Sequence, residues 1–407
     1  MHNNQITNII VLIASIVSFF SCTENTIPYN LSGSGLDLDT LTVRTIEGGT
    51  YLTPPSMGST DGLYFGSSND FNNLFSLLQY SSVSLSGTVR NYNLLDSTVT
   101  VDSLVFTFTA TADTLFTDAQ FELYYFPESG DSLFNETESN YLNLTETDVI
   151  DAVPISRSIF VQEIPDSTES IYPILSFKID DYDDIIDFIA DTANTQNRTF
   201  MLKNIDQLDE IVSIRSSEKV TNFPIIDVYY RAGEDTIHSV FYAENDITIV
   251  EPRQVTDSDM SNLSVGRATG LKSLIKFDFS NIPIDSSAIV IRSAELIFNL
   301  IPENSFDDFE IIAAVLQDSV NILDFWEVDE DQYSIESDVL MTGTFSGDQL
   351  KIEIRSFLQG VNTGSYNNFG LKLYGSSSSD PFQSANLVFD QNNSNNNPYL
   401  KIAYVKL

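Results

Sequence analysis

The chain has 407 residues, 42% of them hydrophobic with 28 Phe and 18 Tyr, which is enough apolar material for true cores and excludes a disordered acidic tail. Nineteen basic against 58 acidic residues leave a formal charge of -39, a surface that repels nucleic acid and anionic head groups and excludes both as partners. A single cysteine forbids any disulfide within the chain, and two histidines leave almost no material for Ser-His or Cys-His nucleophilic catalysis or for a His-based metal site.

In chain order the first feature is Ile9 to Phe20, an apolar run interrupted only by Ser15 and Ser18. It is too short to cross a bilayer, which takes about 20 residues, and has the length of a signal-peptide core. It ends at Phe19-Phe20-Ser21-Cys22, with small Ser21 directly before the lone cysteine. That junction resembles the lipobox of bacterial lipoproteins. The resemblance implies a signal peptide over 1–21, cleavage before Cys22 and acylation of Cys22 as the new first residue. It would place the chain in the cell envelope, anchored through lipid to the outer membrane and exposed at the bacterial surface. Residues 22–41, with Ser32-Gly33-Ser34-Gly35 and Asp37-Leu38-Asp39, read as a flexible tether that holds the folded part off the membrane.

Beyond the tether the chain repeats itself. Gly66, Phe71, Leu74, Phe75 and Leu77 match Gly266, Leu271, Leu274, Ile275 and Phe277 at a constant offset of 200. Ser103, Phe106, Phe108, Phe116, Asp118 and Phe121 match Ser293, Leu296, Phe298, Phe306, Asp308 and Ile311 at 190. Phe177-Lys178-Ile179 then matches Leu350-Lys351-Ile352, and Pro224, Ile226, Val228 and Tyr230 match Pro398, Leu400, Ile402 and Tyr404. The offset shrinks in steps, as it does when length changes fall in loops. Within each copy apolar residues alternate with polar ones, as in Phe106 and Phe108, Leu350, Ile352 and Ile354, or Leu371 and Leu373, the period of strands with one buried face. Short helices are expected over Tyr182 to Ala190 and Ser356 to Val361. The expected fold is all-β: two tandem jelly-roll-like β-sandwich domains, each with one short helix. Repeat 1 spans 42–231, a polar joint 232–239, and repeat 2 spans 240–407.

The second repeat resembles a known family. Leu263-Ser264-Val265-Gly266, Ser273-Leu274-Ile275-Lys276-Phe277-Asp278-Phe279-Ser280-Asn281-Ile282-Pro283 and Ser293-Ala294-Glu295-Leu296 are similar to the opening half of the DNRLRE domain. Leu350-Lys351-Ile352-Glu353-Ile354, Asn367-Asn368-Phe369-Gly370-Leu371 and Pro398-Tyr399-Leu400-Lys401-Ile402 keep the order of its later half. The likeness covers about Ile247 to Leu407 and, more faintly, Val43 to Arg231, where Arg215-Ser216-Ser217-Glu218 matches the family's Ser-Arg-Glu stretch. It implies a β-sandwich akin to the polysaccharide-binding modules of surface lyases, outside the cytoplasm, with glycan as an expected ligand. No binding residues are carried over, because the first repeat lacks the Phe-Asp-Phe and Asn-Phe-Gly signatures.

Candidates for chemistry are sparse. Trp326 with nearby Tyr333 offers aromatic faces that can stack on a sugar, although a lone Trp beside Phe325 more often belongs to a core. Asp257 with Asp259, and Asp307 with Asp308, are candidate ligands for Ca²⁺, without the spacing of a calcium loop. Asp180, Asp181, Asp183 and Asp184 suit the opening turn of the 182–190 helix. His238 reads as solvated or packed rather than catalytic. The function these residues favour is a non-catalytic surface lipoprotein that binds extracellular glycan or mediates adhesion. Two alternatives stand beside it: a structural scaffold docking other secreted proteins, and a carboxylate-based glycan hydrolase or lyase. The expected partners are the membrane, through the lipid anchor, and a polysaccharide or surface protein.

Overall fold

The computed structural model describes residues 38–68, 70–81, 85, 99–112, 118–126, 133–144, 148–161, 172–179, 198–206, 208, 210–252, 262–279, 289–301, 309–323, 325–376, 380–390 and 397–406. The leader, Cys22, the helix expected over 182–190 with its acidic opening, and Asp257, Asp259, Asp307 and Asp308 lie outside the described residues.

The chain runs through β1 (Leu38–Leu52), β2 (Gly62–Gly66), β3 (Phe71–Tyr80), β4 (Val99–Thr109), β5 (Phe121–Tyr125), β6 (Val153–Ser158), β7 (Phe160–Val161), β8 (Ile174–Ile179), β9 (Thr199–Asn204), β10 (Ile211–Arg215), β11 (Ile225–Ala232) and β12 (Asp235–Pro252). It continues through β13 (Leu263–Gly266), β14 (Leu271–Phe277), β15 (Ile289–Asn299), β16 (Ile311–Leu316), β17 (Phe325–Glu327), β18 (Ile335–Ser346), β19 (Gln349–Glu353), helix α1 (Arg355–Thr363), β20 (Leu371–Gly375), β21 (Ser384–Leu387) and β22 (Tyr399–Lys406). The all-β expectation holds, and α1 lies where the sequence places its second helix. Alternation explains the strands: β4 buries Leu104, Phe106 and Phe108 completely while Val105 and Thr107 between them stay half-buried. Helix α1 buries Phe357 and Leu358 and stops at Gly364, whose φ of 75° lets its N–H turn back to the last carbonyls.

Two sandwiches follow one plan. In the first, β11, β4 and β8 form one face and β3, β9 and β5 the other, with β12 bonded to β11 along its first half and to β3 along its second. In the second, β22, β15 and β19 oppose β14, β20 and β16, and β1 bridges β22 and β14 in the same manner. Strands β2 to β11 thus correspond in order to β13 to β22, with β6 and β7 together standing for β18 and β17 having no counterpart. Each core is continuous, one around Phe106, Phe177 and Phe200, the other around Phe277, Phe298 and Phe357.

This pairing corrects the expected boundaries. Residues 232–239 are not a joint: Ala232 pairs with Asp235 around a two-residue turn in which Gly233 takes φ +69°, the chemistry of a tight hairpin. The second sandwich does not begin at 240, because β12 runs on to Pro252 within the first. Leu38 to Leu41 are not tether but pair with Val405 to Ile402. Most consequentially, β1 opens the first repeat in sequence yet completes the second sandwich, placing Val43 in that core. The strand that leads the second repeat, β12, completes the first. The two leading strands are exchanged.

Side chains repeat the exchange. Thr50 of β1 bonds Ser273 (3.0 Å) and accepts the Ser264 N–H (2.9 Å); Thr248 of β12 bonds Ser76 (3.1 Å) and accepts the Tyr64 N–H (3.0 Å). The constant offset of 200 also fails past the first hairpin. Gly66 faces Leu74 whereas Gly266 faces Leu271, so Leu74 corresponds to Leu271 rather than to Leu274. The loop between is longer in the first repeat, and the slip of three is disguised because both strands carry apolar residues at consecutive positions, Leu74-Phe75 and Leu77-Leu78 in one and Leu274-Ile275 in the other.

Candidate functional site

The segment from β1 to β2 carries the chain between the sandwiches, and side chains from both close on it. Met57 is buried with Phe71, Leu74 and Val250 of the first and Ala268 of the second. Phe382 meets Tyr64 and Phe71 edge-on, with centroids at 4.9 and 5.0 Å. Arg267 donates to Ser59 Oγ at 2.9 Å, and the Thr53 N–H donates to the Gly270 carbonyl at 3.0 Å. Gly270 takes φ +72°, and a Cβ there would lie 1.9 Å from the Thr53 oxygen, so the approach requires glycine.

Beside this junction lies a cleft of about 810 Å³, within the range of about 300–1,000 Å³ usual for ligand sites. Pro54 and Pro55 line it between the sandwiches. Asn140 and Asn143 of the first sandwich form one wall, and Lys272 and Tyr374 of the second form the other. The amide wall is built by its own polar side chains. Asn135 Oδ1 accepts from the Thr137 N–H (3.0 Å), Asn143 Oδ1 from the Asn140 N–H (2.8 Å) and Asn140 Oδ1 from the Leu142 N–H (2.9 Å), a chain of side-chain-to-backbone turns. Both Asn140 and Asn143 also donate to the Glu138 carbonyl. Ser56 ties the connecting segment to this wall by donating to the Thr137 carbonyl at 3.2 Å.

The opposite wall rests on an ionic and aromatic group. Asp331 Oδ2 accepts from Lys272 (2.5 Å) and Lys372 (2.7 Å), and its Oδ1 accepts from the buried Tyr51 hydroxyl (3.1 Å). Burial by itself would raise the Asp331 carboxyl, but the two ammonium groups outweigh it and hold the acid below its ordinary value. Burial likewise depresses Lys372, with Asp331 opposing. Tyr51 is pushed far above the ordinary tyrosine value, first by burial and then by Asp331.

Trp326 and Tyr333, the aromatic candidates of the sequence, come together here. The indole stacks on Tyr51 at 5.3 Å, and its Nε1–H donates to the Tyr333 hydroxyl at 2.7 Å. One indole face and the N–H are therefore engaged within an apolar group containing Leu274 and Leu316, behind the cleft rather than lining it. His238 stands apart on β12, exposed, stacked on Tyr229 and 2.7 Å from Asp227 Oδ1. The calcium candidates lie outside the described residues. Among the described residues one trio of carboxylates, Glu136, Glu218 and Asp246, lies close enough to share an ion. Sequence spacing could not reveal it, since its members come from three distant segments. The density of Asn, Thr and Ser over 135–143 was the available signal for the amide wall.

No family model and no curated protein matches the chain. Solved structures with some likeness include one titled BspA_C_WT, at 7% identity and a TM-score of 0.15 over 90% of both chains. Another is the C-terminal domain of the Streptococcus pyogenes antigen I/II-family protein AspA, at 9% identity and 0.11 over 91% of both. Likenesses this low bear on neither the fold nor the function.

Proposed function

We propose that this is a non-catalytic surface lipoprotein, held through Cys22, whose cleft between the sandwiches takes up an extracellular glycan. The observation that carries the reading is the cleft itself: a pre-formed polar hollow with an amide wall and, facing it, the half-buried, Asp331-paired Lys272 and the Tyr374 ring. Amides and tyrosines suit the hydroxyls and apolar faces of a sugar. The similarity of the second repeat to DNRLRE domains supports the same ligand class. Overall charge narrows it, because -39 repels a polyanion, so neutral glycans are the better fit. Against turnover, the most deeply placed carboxylate of the cleft, Asp331, has both oxygens engaged, Oδ2 by Lys272 and Lys372 and Oδ1 by the Tyr51 hydroxyl and the Tyr333 N–H.

Docking of another protein is the second reading, favoured by the exposed Val153, Ile159 and Val161 at and between the edge strands β6 and β7. Retention on an array of neutral and acidic polysaccharides tests the first. The expected result is binding to neutral glycans that weakens by about tenfold in Tyr374→Ala, the scale of one lost ring contact. If no polysaccharide is retained, with or without calcium, the docking reading replaces it.

A further inference from the structure

We propose that Glu136, Glu218 and Asp246 form a Ca²⁺ site that fastens the amide-walled loop to the body of the first sandwich. Each offers a carboxylate oxygen, and the three oxygens lie within 4.8 Å of one another. Ligands about 2.4 Å from a common calcium are at most about 4.8 Å apart, so the spacing meets the geometric condition for a shared ion. The residues come from three places: Glu136 from the loop that forms the cleft wall, Glu218 from the turn after β10, and Asp246 from the middle of β12.

The independent observation is the state of Asp246. Its side chain is wholly removed from solvent, and while Oδ2 accepts the Ser217 N–H at 2.6 Å, Oδ1 has no hydrogen-bond partner. A buried carboxylate with an unused oxygen costs much of its hydration unless a proton or a cation replaces it. Among the described residues no lysine or arginine forms an ion pair with any of the three acids. Lys219 of the same turn is committed to Asp61, and Arg267 reaches Glu218 only at electrostatic range. The buried Tyr80 hydroxyl, also without a hydrogen-bond partner, lies within electrostatic range of Asp246.

Surrounding backbone already fixes the cage. Glu136 Oε1 accepts the Asp246 N–H at 3.1 Å, joining loop to strand. A Cβ on Gly58 would lie 2.0 Å from the Glu136 carbonyl oxygen, so the connecting segment presses on the same residue. Ser216 donates its hydroxyl to the Thr60 carbonyl at 2.6 Å, holding the Glu218 turn against that segment. An all-oxygen, acidic, partly exposed cage suits calcium over zinc or copper. By joining loop to strand, the ion would stiffen the wall bearing Asn140 and Asn143.

The test is the melting temperature of the full chain in EDTA, in 10 mM CaCl₂ and in NaCl of equal ionic strength. Calcium is expected to raise Tm above the NaCl control by about 3 to 6 °C, the size for a ligand well above its Kd. Asp246→Asn should abolish that increment, and exposed Glu218→Gln, which threatens folding little, should reduce it. Terbium luminescence excited through tyrosine gives a second readout, bright in the native chain and quenched by excess calcium. No calcium increment in the native chain overturns the site, and so does an increment that survives in both variants, since the ion then sits elsewhere. The site rests on strand and loop geometry alone and stands or falls independently of glycan retention.

Discussion

Asp331 gathers an unusual share of this chain's scarce positive charge: two of nineteen cations meet on one carboxylate, with a buried tyrosine hydroxyl on its other oxygen. Removing that charge leaves two ammonium groups facing each other in a half-buried site. Asp331→Asn is expected to lower unfolding stability by about 2 to 4 kcal/mol, near the lower end of the range for breaking a buried pair. Adding Lys372→Met should recover part of the loss, because it removes the more buried of the stranded cations. Denaturant titrations of both variants at neutral pH check this. Equal stability of Asp331→Asn and the native chain would mean that the group is too hydrated to matter. None of it is legible in sequence, where Tyr51, Lys272, Asp331 and Lys372 share no spacing. Trp326 and Tyr333 were legible as a pair, since they lie seven residues apart and bond each other, but not their shared partner Tyr51 from the far end of the chain.

Among the elements, those with a strict apolar period were readable: β4, β19, β20 and β22 fall where alternation puts them, and α1 where Phe357, Leu358 and Val361 cluster on one face. The partner of each strand was not readable. The apolar pattern of β1 is interrupted by Gly48 and Gly49, and Gly48 leaves room for Phe389, whose ring would lie 2.9 Å from a Cβ there. Nothing in such a strand announces which sandwich it serves. The consequence is sharp. Deleting residues 38–52 should unmake the second sandwich, from which a whole bridging strand and its ladders to β14, β17 and β22 vanish, while leaving 62–252 complete. Limited proteolysis of the deleted chain is expected to digest 263–406 and spare a fragment ending near Pro252. A synthetic peptide of residues 38–52 should restore protection. Loss of the first sandwich instead would contradict the exchanged assignment of β1 and β12.

For the whole molecule, charge and burial set opposing pH trends. A surface with 58 acids and 19 bases repels itself, so protonating some acids relieves strain. Asp246, raised chiefly by burial, and Glu136, raised by burial and by Glu218, add to this trend. Their unfolded forms ionise at the ordinary carboxylate value and their folded forms only above it, so stability falls as pH rises through that interval. Asp331 works in reverse. Its lowered folded value supplies stability that is present above the ordinary carboxylate range and is lost as pH falls through the folded value. The calcium-free chain should therefore be most stable on the acid side of neutrality, between these two regimes, and less stable at pH 8 and at pH 3. Salt separates the contributions. Screening acts over about 8 to 10 Å at moderate ionic strength, so sodium chloride should raise Tm at pH 8, where diffuse repulsion dominates, and change it little near the optimum. Thermal melts across pH at low and at 0.5 M salt make the comparison. A salt-independent Tm at pH 8 would show that the acids lie too far apart to oppose folding.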